Sequence, residues 1–241
     1  MSGHSKWATT KRQKAAVDAK RSSVFTKIAN IITIAARQGG NPEMNFSLRI
    51  AVDRARAVNM PKDNIERAIK RGSGELGDVT LEELTYEGFG PAKSGFIVEV
   101  VTDNKNRTAA EIRHLFTKNG GALGAAGSVS WNFEHKGVIR IAKENLAGAN
   151  WDEFELELID NGADDIKREE EGVTILTKIE NLNKLKNWLD DKKIITESAA
   201  LEYAPKEEKN ASEEDKIKIQ KLIEDLDDNQ DVSNYYPDVI I

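Results

Sequence analysis

Between residues 137 and 204 the spacing of apolar residues alternates between a period of two and a helical period, in an order that few folds accommodate. Ile139 and Ile141 mark a strand, and Asn150 with Glu153 caps a helix bearing Trp151, Phe154 and Leu158. Ile166, then Val173, Ile175 and Thr177, lie on two strands joined at Glu171–Gly172. Leu182, Leu185 and Leu189 stripe a second helix, and Ile195 to Tyr203 alternate as a closing strand. This β-α-β-β-α-β order is the ferredoxin-like pattern, an antiparallel sheet with both helices on one face.

The flanking residues form no closed unit separately. Upstream, a period of two starts at Tyr86 and a strand covers Phe96–Thr102. Asp103 to Arg107 turn the chain, and Thr108 with Glu111 reads as a capping box for a helix carrying Ile112, Leu115 and Phe116. A glycine-rich loop, Gly120–Gly127, leads to a strand with Val129, Trp131 and Phe133 on one face. Downstream, Ser212 caps a helix with Ile219, Leu222, Ile223 and Leu226, followed by a strand around Val232–Tyr236. An isolated α-β unit cannot bury its apolar face. It is therefore expected to return to the sheet begun at residues 86–133, making 137–204 an insertion. The crossings fall near His135 and Pro205, and residues 206–210 read as a polar surface connection.

The N-terminal third keeps a helical period. Val24, Phe25, Ile28, Ile31, Ile32 and Ala35 form one stripe, stopped by Gly39–Gly40. Leu48, Ala51, Val52, Ala55 and Val58 form a second, and Ile65, Ala68 and Ile69 a third. Pro61 suits the first turn of that third helix, and Gly72 reads as its stop. The expectation is an α+β protein with a three-helix N-terminal domain (1–78). Two ferredoxin-like α/β domains follow, one discontinuous (79–135 plus 205–241) and one inserted into it (136–204).

Charge divides the chain along the same lines. Residues 1–78 hold 15 Lys and Arg against 7 Asp and Glu, whereas the rest hold 20 against 34, within an overall net charge of −6. The first 27 residues alone carry Lys6, Lys11, Arg12, Lys14, Lys20, Arg21 and Lys27 against Asp18, with His4 and Trp7 among them. Such a reversal marks where a polyanion docks. His4 and Trp7 are the groups there able to stack on exposed bases, and packing of Trp7 on the bundle is the competing reading. A mitochondrial presequence would be Arg-rich, and this segment is mostly Lys.

Catalytic chemistry finds no foothold. The chain has no cysteine, which excludes disulfides, thiolate zinc and cysteine nucleophiles. His4, His114 and His135 lie in separate segments without metal-ligand spacing. The carboxylate runs at 169–171, 213–215 and 227–228 lack the Asp/Asn/Gly order of a calcium loop. Gly72-Ser-Gly74-Glu-Leu-Gly77 matches G-x-G-x-x-G, but it follows a helix and leads into Thr80 with Glu83, a capping box for a short helical turn. A dinucleotide site needs it between strand and helix. No catalytic residue, metal or cofactor is expected. The apolar run 28–36 is too short to span a bilayer. In the polar loop at 103–108, Asp103, Asn104, Asn106 and Arg107 have a complete account as turn and cap, and a functional one as hydrogen-bonders to a sugar-phosphate or partner.

Several stretches together resemble the YebC/PmpR family: GHSKW at 3–7, DAKR at 18–21, FTK at 25–27, AARQGG at 35–40 and NMPKDNIERAIKRG at 59–72. YEGFGP at 86–91, TDNKNRT at 102–108, EIRH at 111–114 and GSVSW at 127–131 extend the likeness. The resemblance begins at residue 1 or 2, so no presequence is expected. It implies a helical domain followed by two α/β domains around a central cavity, with no enzymatic activity. It also implies nucleic-acid contact by the GHSKW and DAKR motifs, Lys27 and Arg37, and gives the 103–108 loop more weight than spacing does. Members have been described as DNA-binding transcriptional regulators. Others, including the mitochondrial translational activator of cytochrome c oxidase, resemble ribosome-associated translation factors that help difficult peptide sequences through. The expectation is a cytoplasmic, monomeric regulator binding duplex DNA, with ribosomal RNA on the ribosome as the alternative target and no membrane partner. A non-catalytic adaptor whose α/β domains hold protein partners is the third reading, and charge segregation counts against it.

Overall fold

The computed structural model describes residues 22–77, 80–146 and 150–240. They form an α+β protein in two compact units, residues 134–204 making one, while 22–133 and 205–240 belong to the other. The second unit is thus interrupted by the first.

Helix α1 (22–36) packs with α2 (Phe46–Ala57) and α3 (Lys62–Gly72). Their stripes meet in a core of Ile28, Ile32, Ala36, Leu48, Ala51, Val52, Ala55, Met60, Ile65 and Ala68. Asn45 organises two helix ends at once. Its side-chain oxygen accepts from the Leu48 N–H (3.0 Å) as the α2 cap, while its amide donates to the Ala35 and Gly39 carbonyls (both 2.8 Å). Gly72 proves to be the last residue of α3 and not the stop beyond it. A Cβ there would lie 2.1 Å from the Thr33 carbonyl oxygen, so its missing side chain is what lets α3 close on α1.

The first sheet contains β1 (Glu82–Phe89), β2 (Gly95–Thr102), β3 (Ala122–Leu123) and β9 (Val232–Pro237), in the order β3-β1-β2-β9. Counted along this unit the order is third-first-second-fourth, which differs from the ferredoxin-like second-third-first-fourth because β1 and β2 form a hairpin before the first helix. The sheet is antiparallel and carries two helices, but its strand order departs from the expected pattern. Helices α4 (Lys105–Lys118) and α7 (Glu213–Asp228) supply Ile112, Phe116, Ile219, Leu222, Ile223 and Leu226 to its core. Three local expectations are corrected. Thr80–Glu83 starts no helical turn: Glu82 to Phe89 pair residue by residue with β2, and that ladder outweighs a local cap. Residues 129–133 add no strand here, since Ser130–Asn132 is a 3-10 turn. The third strand is instead the two-residue β3 within the glycine loop. There Gly120 ends α4 at φ +78°, and the Gly121 N–H returns to the Phe116 carbonyl (2.8 Å).

The inserted unit consists of β4 (Phe133–Ala142), α5 (Trp151–Asp160), β5 (Ala163–Arg168), β6 (Gly172–Thr177), α6 (Leu182–Asp191) and β7 (Ser198–Pro205). Its sheet order, β5-β6-β4-β7, is that of the ferredoxin-like pattern. Asn150 precedes α5 without a side-chain cap, and β7 starts at Ser198, leaving Ile195 exposed.

The chain leaves and re-enters the interrupted unit at one latch. Asn132 donates to the Glu207 carbonyl (2.9 Å) and accepts from the Glu207 N–H (3.1 Å). Buried Asp238 accepts from the Gly95 N–H (2.7 Å) and from Asn132 (3.3 Å), and pairs with Lys209 (2.8 Å). Residues 206–210 are accordingly more than a connection, because β8 (Lys209–Asn210) pairs in parallel with β10 (Val239–Ile240).

Candidate nucleic-acid interface

His4, Lys6, Trp7, Lys11, Arg12, Lys14, Lys20 and Arg21 lie outside the described residues. Of the expected contact residues, Lys27 and Arg37 are described, and both reach toward the sheet of their own unit. The Lys27 ammonium donates to the Asp227 carbonyl (2.6 Å) in the last turn of α7, where the helix end concentrates negative potential. Arg37 donates to the Leu81 carbonyl (2.7 Å), just before β1. Arg54 of α2 donates to the Asn234 side chain (3.2 Å) on β9. Three cations of the bundle thus tether it to the α/β part of its own unit, at the end of α7, before β1 and on β9.

A cavity of about 250 Å³ lies in this region, with Ile31, Glu83, Thr85, Glu99, Ser233 and Asn234 in its wall. Glu99 accepts from Asn234 and from the Tyr236 hydroxyl, both at 3.0 Å. Partial burial and the Glu99 carboxylate push Glu83 above the ordinary glutamate pKa, with Arg37 pulling the other way. Two carboxylates in the wall make this cavity unsuited to a phosphate.

The 103–108 loop is held from within. Asn104, and not Thr108, caps α4, accepting from the Arg107 N–H (3.1 Å). Arg107 pairs with Asp103 (3.0 Å) and Asp231 (2.9 Å), and Asp231 raises its pKa further. Thr108 is buried and donates to the same Asp231 carboxylate (2.5 Å). Glu111, expected to close the capping box, accepts from Asn229 instead (2.9 Å). Asn106 stays exposed on the first turn of α4.

Glu87 explains two motifs that periodicity left without a role. Its carboxylate accepts three backbone N–H groups of the glycine loop, from Gly127 (2.8 Å), Val129 (2.7 Å) and Ser130 (2.9 Å). Partial burial pushes its pKa up, but the three donors outweigh this and the net value falls below that of an ordinary glutamate. Such a group stabilises the fold fully above its unfolded pKa, and the contribution is lost as pH falls through the depressed folded value. Glu87→Gln is therefore expected to lower stability by about 1–3 kcal/mol at pH 7. The deficit should shrink at acidic pH, as the pH falls from the unfolded value through the depressed folded one and the wild-type advantage is lost. Urea unfolding at neutral and acidic pH checks this, and a deficit independent of pH would refute the charge-assisted account.

The remaining described cations of the bundle are on its surface. Arg49 lies over the Phe46 ring (5.2 Å), Arg56 pairs with Asp53 (3.2 Å) and Lys62 with Glu66 (3.4 Å). Arg67, Lys70 and Arg71 are exposed along the last turns of α3, with no carboxylate partner among the described residues. Among the described residues no group of His, Asp and Glu has metal-binding geometry, and no helix is long and apolar enough to cross a membrane. His135 stacks on Tyr203 with ring centroids 4.6 Å apart, and His114 is exposed on α4. The G-x-G-x-x-G stretch runs from the end of α3 through positive-φ turns at Gly74 and Gly77, with no strand before it.

Residues 5–75 match the family described as TACO1/YebC protein N-terminal domain, and residues 81–239 match TACO1/YebC second and third domain. The chain belongs to the TACO1/YebC family. A relative from Thermoanaerobacter pseudethanolicus is 46% identical, covering 100% of this chain and 98% of its own length, and is named a probable transcriptional regulatory protein. One from Dictyoglomus thermophilum carries the same description at 48% identity, covering 98% of this chain and 94% of its own. The crystal structure of a conserved hypothetical protein from Aquifex aeolicus superposes with a TM-score of 0.84 at 39% identity, covering 94% and 93% of the two chains. In this TACO1/YebC chain the YEGFGP, TDNKNRT and GSVSW stretches supply the Glu87 and Arg107–Asp231 networks that hold the interrupted domain.

Proposed function

We propose that this protein is a cytoplasmic, non-enzymatic nucleic-acid-binding regulator of gene expression, acting on duplex DNA as a transcriptional regulator of the YebC/PmpR type. One observation carries the reading: the helical third of an acidic chain is basic, with 15 Lys and Arg against 7 Asp and Glu in residues 1–78. The relatives' description as transcriptional regulatory proteins supports it. The acidic remainder repels phosphates and confines the contact to the helices. The three domains read from the sequence then divide the work, the helical one for nucleic acid and the α/β pair as its scaffold.

A second reading, a translation factor on ribosomal RNA, is favoured by one feature of α3. A recognition helix enters the major groove with its N-terminal residues. Here the first half of α3 carries Asp63 and Glu66, its leading Lys62 is paired with Glu66, and the other cations come last. That arrangement suits contact with a phosphate backbone more than base reading, and structured RNA offers the same backbone. The experiment compares wild type with Lys11→Glu/Arg12→Glu/Lys14→Glu, using a labelled 30-base-pair duplex, an rRNA hairpin and sedimentation with ribosomes. Salt-sensitive duplex binding that the variant loses supports the regulator. Binding confined to RNA and ribosomes moves the assignment to translation, and no salt-sensitive binding to any of them removes the nucleic-acid reading.

A further inference from the structure

We propose that the outer face of the last turns of α3, formed by Arg67, Lys70 and Arg71, is a second phosphate-contact surface, distinct from the N-terminal basic segment. It rests on the nucleic-acid reading above and names where on the bundle the backbone is held.

Three observations support it. The first is that these three cations share one helix face: positions 67, 70 and 71 are three and four residues apart, so their Cβ atoms are near neighbours. All three are exposed, whereas Lys27, Arg37 and Arg54 are committed to Asp227, Leu81 and Asn234 of the same unit and Arg56 and Lys62 to neighbouring carboxylates. The second is that the face is fixed in place. Ala68 and Gly72, on the opposite side of the same turns, are clamped to α1 through the Thr33 hydroxyl (3.2 Å to the Ala68 carbonyl) and the close approach at Gly72. A rigid element holds its charges without the ordering cost a loop would incur. The third is chemical. Neighbouring guanidinium and ammonium groups without carboxylate partners repel one another, and a phosphate backbone relieves that repulsion while releasing counterions.

The competing explanation is that cations at a helix C-terminus merely complement its dipole. It predicts an effect on melting and none on binding. The test uses the full chain with Arg67→Gln/Lys70→Gln/Arg71→Gln, which keeps good helix formers. The matched control, Lys216→Gln/Lys218→Gln/Lys221→Gln on α7, changes net charge equally. Affinity for the labelled duplex and the RNA hairpin is measured from low to moderate KCl, with melting followed in parallel. The expected result is a salt-dependence slope shallower by roughly 2–3 and affinity weaker by roughly 10- to 100-fold at 0.1 M salt, with the control unchanged. Should the triple variant fail to fold, the single variants each lower the slope by about 1. An unchanged slope in a folded variant, or an equal loss in the control, overturns the proposal while leaving the nucleic-acid reading intact. Wild type that binds neither probe removes both.

Discussion

Glu202→Ala is expected to destabilise the inserted unit by about 3–5 kcal/mol. Its carboxylate accepts both terminal nitrogens of the Arg140 guanidinium, at 2.7 and 2.9 Å, in a two-pronged pair. Arg140 is 6% exposed and Glu202 8%, so water does not replace a lost partner on either side. The effect has little to do with attraction in the intact pair, which the desolvation of both ions largely cancels. It arises because removing one ion strips the other, still buried, of its two-pronged partner. The double substitution Arg140→Met/Glu202→Leu removes both charges and keeps apolar volume, so it is expected to lie within about 2 kcal/mol of wild type, on either side. Urea unfolding of the three proteins measures the difference, and a single variant as stable as the double would show that the pair is not desolvated in solution.

That pair also shows what could be read in advance and what could not. Ile139 and Ile141 announce a strand through their period of two, and nothing in the sequence marks Arg140 between them. Its partner lies 62 residues away, and no local pattern links the two. The same holds elsewhere. The helices were legible because each buries a stripe of several residues, and the return of α7 and β9 was legible because an α-β remainder needs a sheet. The strand β3 was not, since two residues carry no period, and β1 was misread at its start because a local cap signal competed with a ladder whose partner follows later. At the candidate interface, charge was legible and commitment was not. Lys27 stood out as a cation, but its bond to Asp227 spans 200 residues, and Arg37 entered only through resemblance. The face of α3 is legible only as part of the basic surplus of residues 1–78. Its rigid seating depends on Gly72, which looked like a helix stop.

Gly72→Ala is the substitution that tests this seating, and it is expected to destabilise the interrupted unit by about 2–3 kcal/mol. In an exposed helix the same change stabilises by up to about 1 kcal/mol, because alanine loses less backbone freedom and favours the helix. The sign reverses here because the new methyl would stand 2.1 Å from the Thr33 carbonyl oxygen and 2.7 Å from the Ala36 Cβ. The first of these is backbone, in the last turn of a helix whose Thr33 side chain is itself bonded to the Ala29 and Ala68 carbonyls. No rotamer change relieves the overlap, so α3 has to move away from α1. Gly40→Ala is the contrasting case: its nearest neighbours, Ile69 and Ser73 side-chain atoms, are 3.5 Å away, which is ordinary contact, and a much smaller change is expected. Thermal and urea unfolding of the two variants measure the contrast, and a Gly72→Ala protein as stable as wild type would show that the two helices do not close this tightly. Neither substitution alters a charge. Any affinity for nucleic acid lost by folded Gly72→Ala and kept by Gly40→Ala therefore reports the displacement of Arg67, Lys70 and Arg71, separating the placement of that face from its charge.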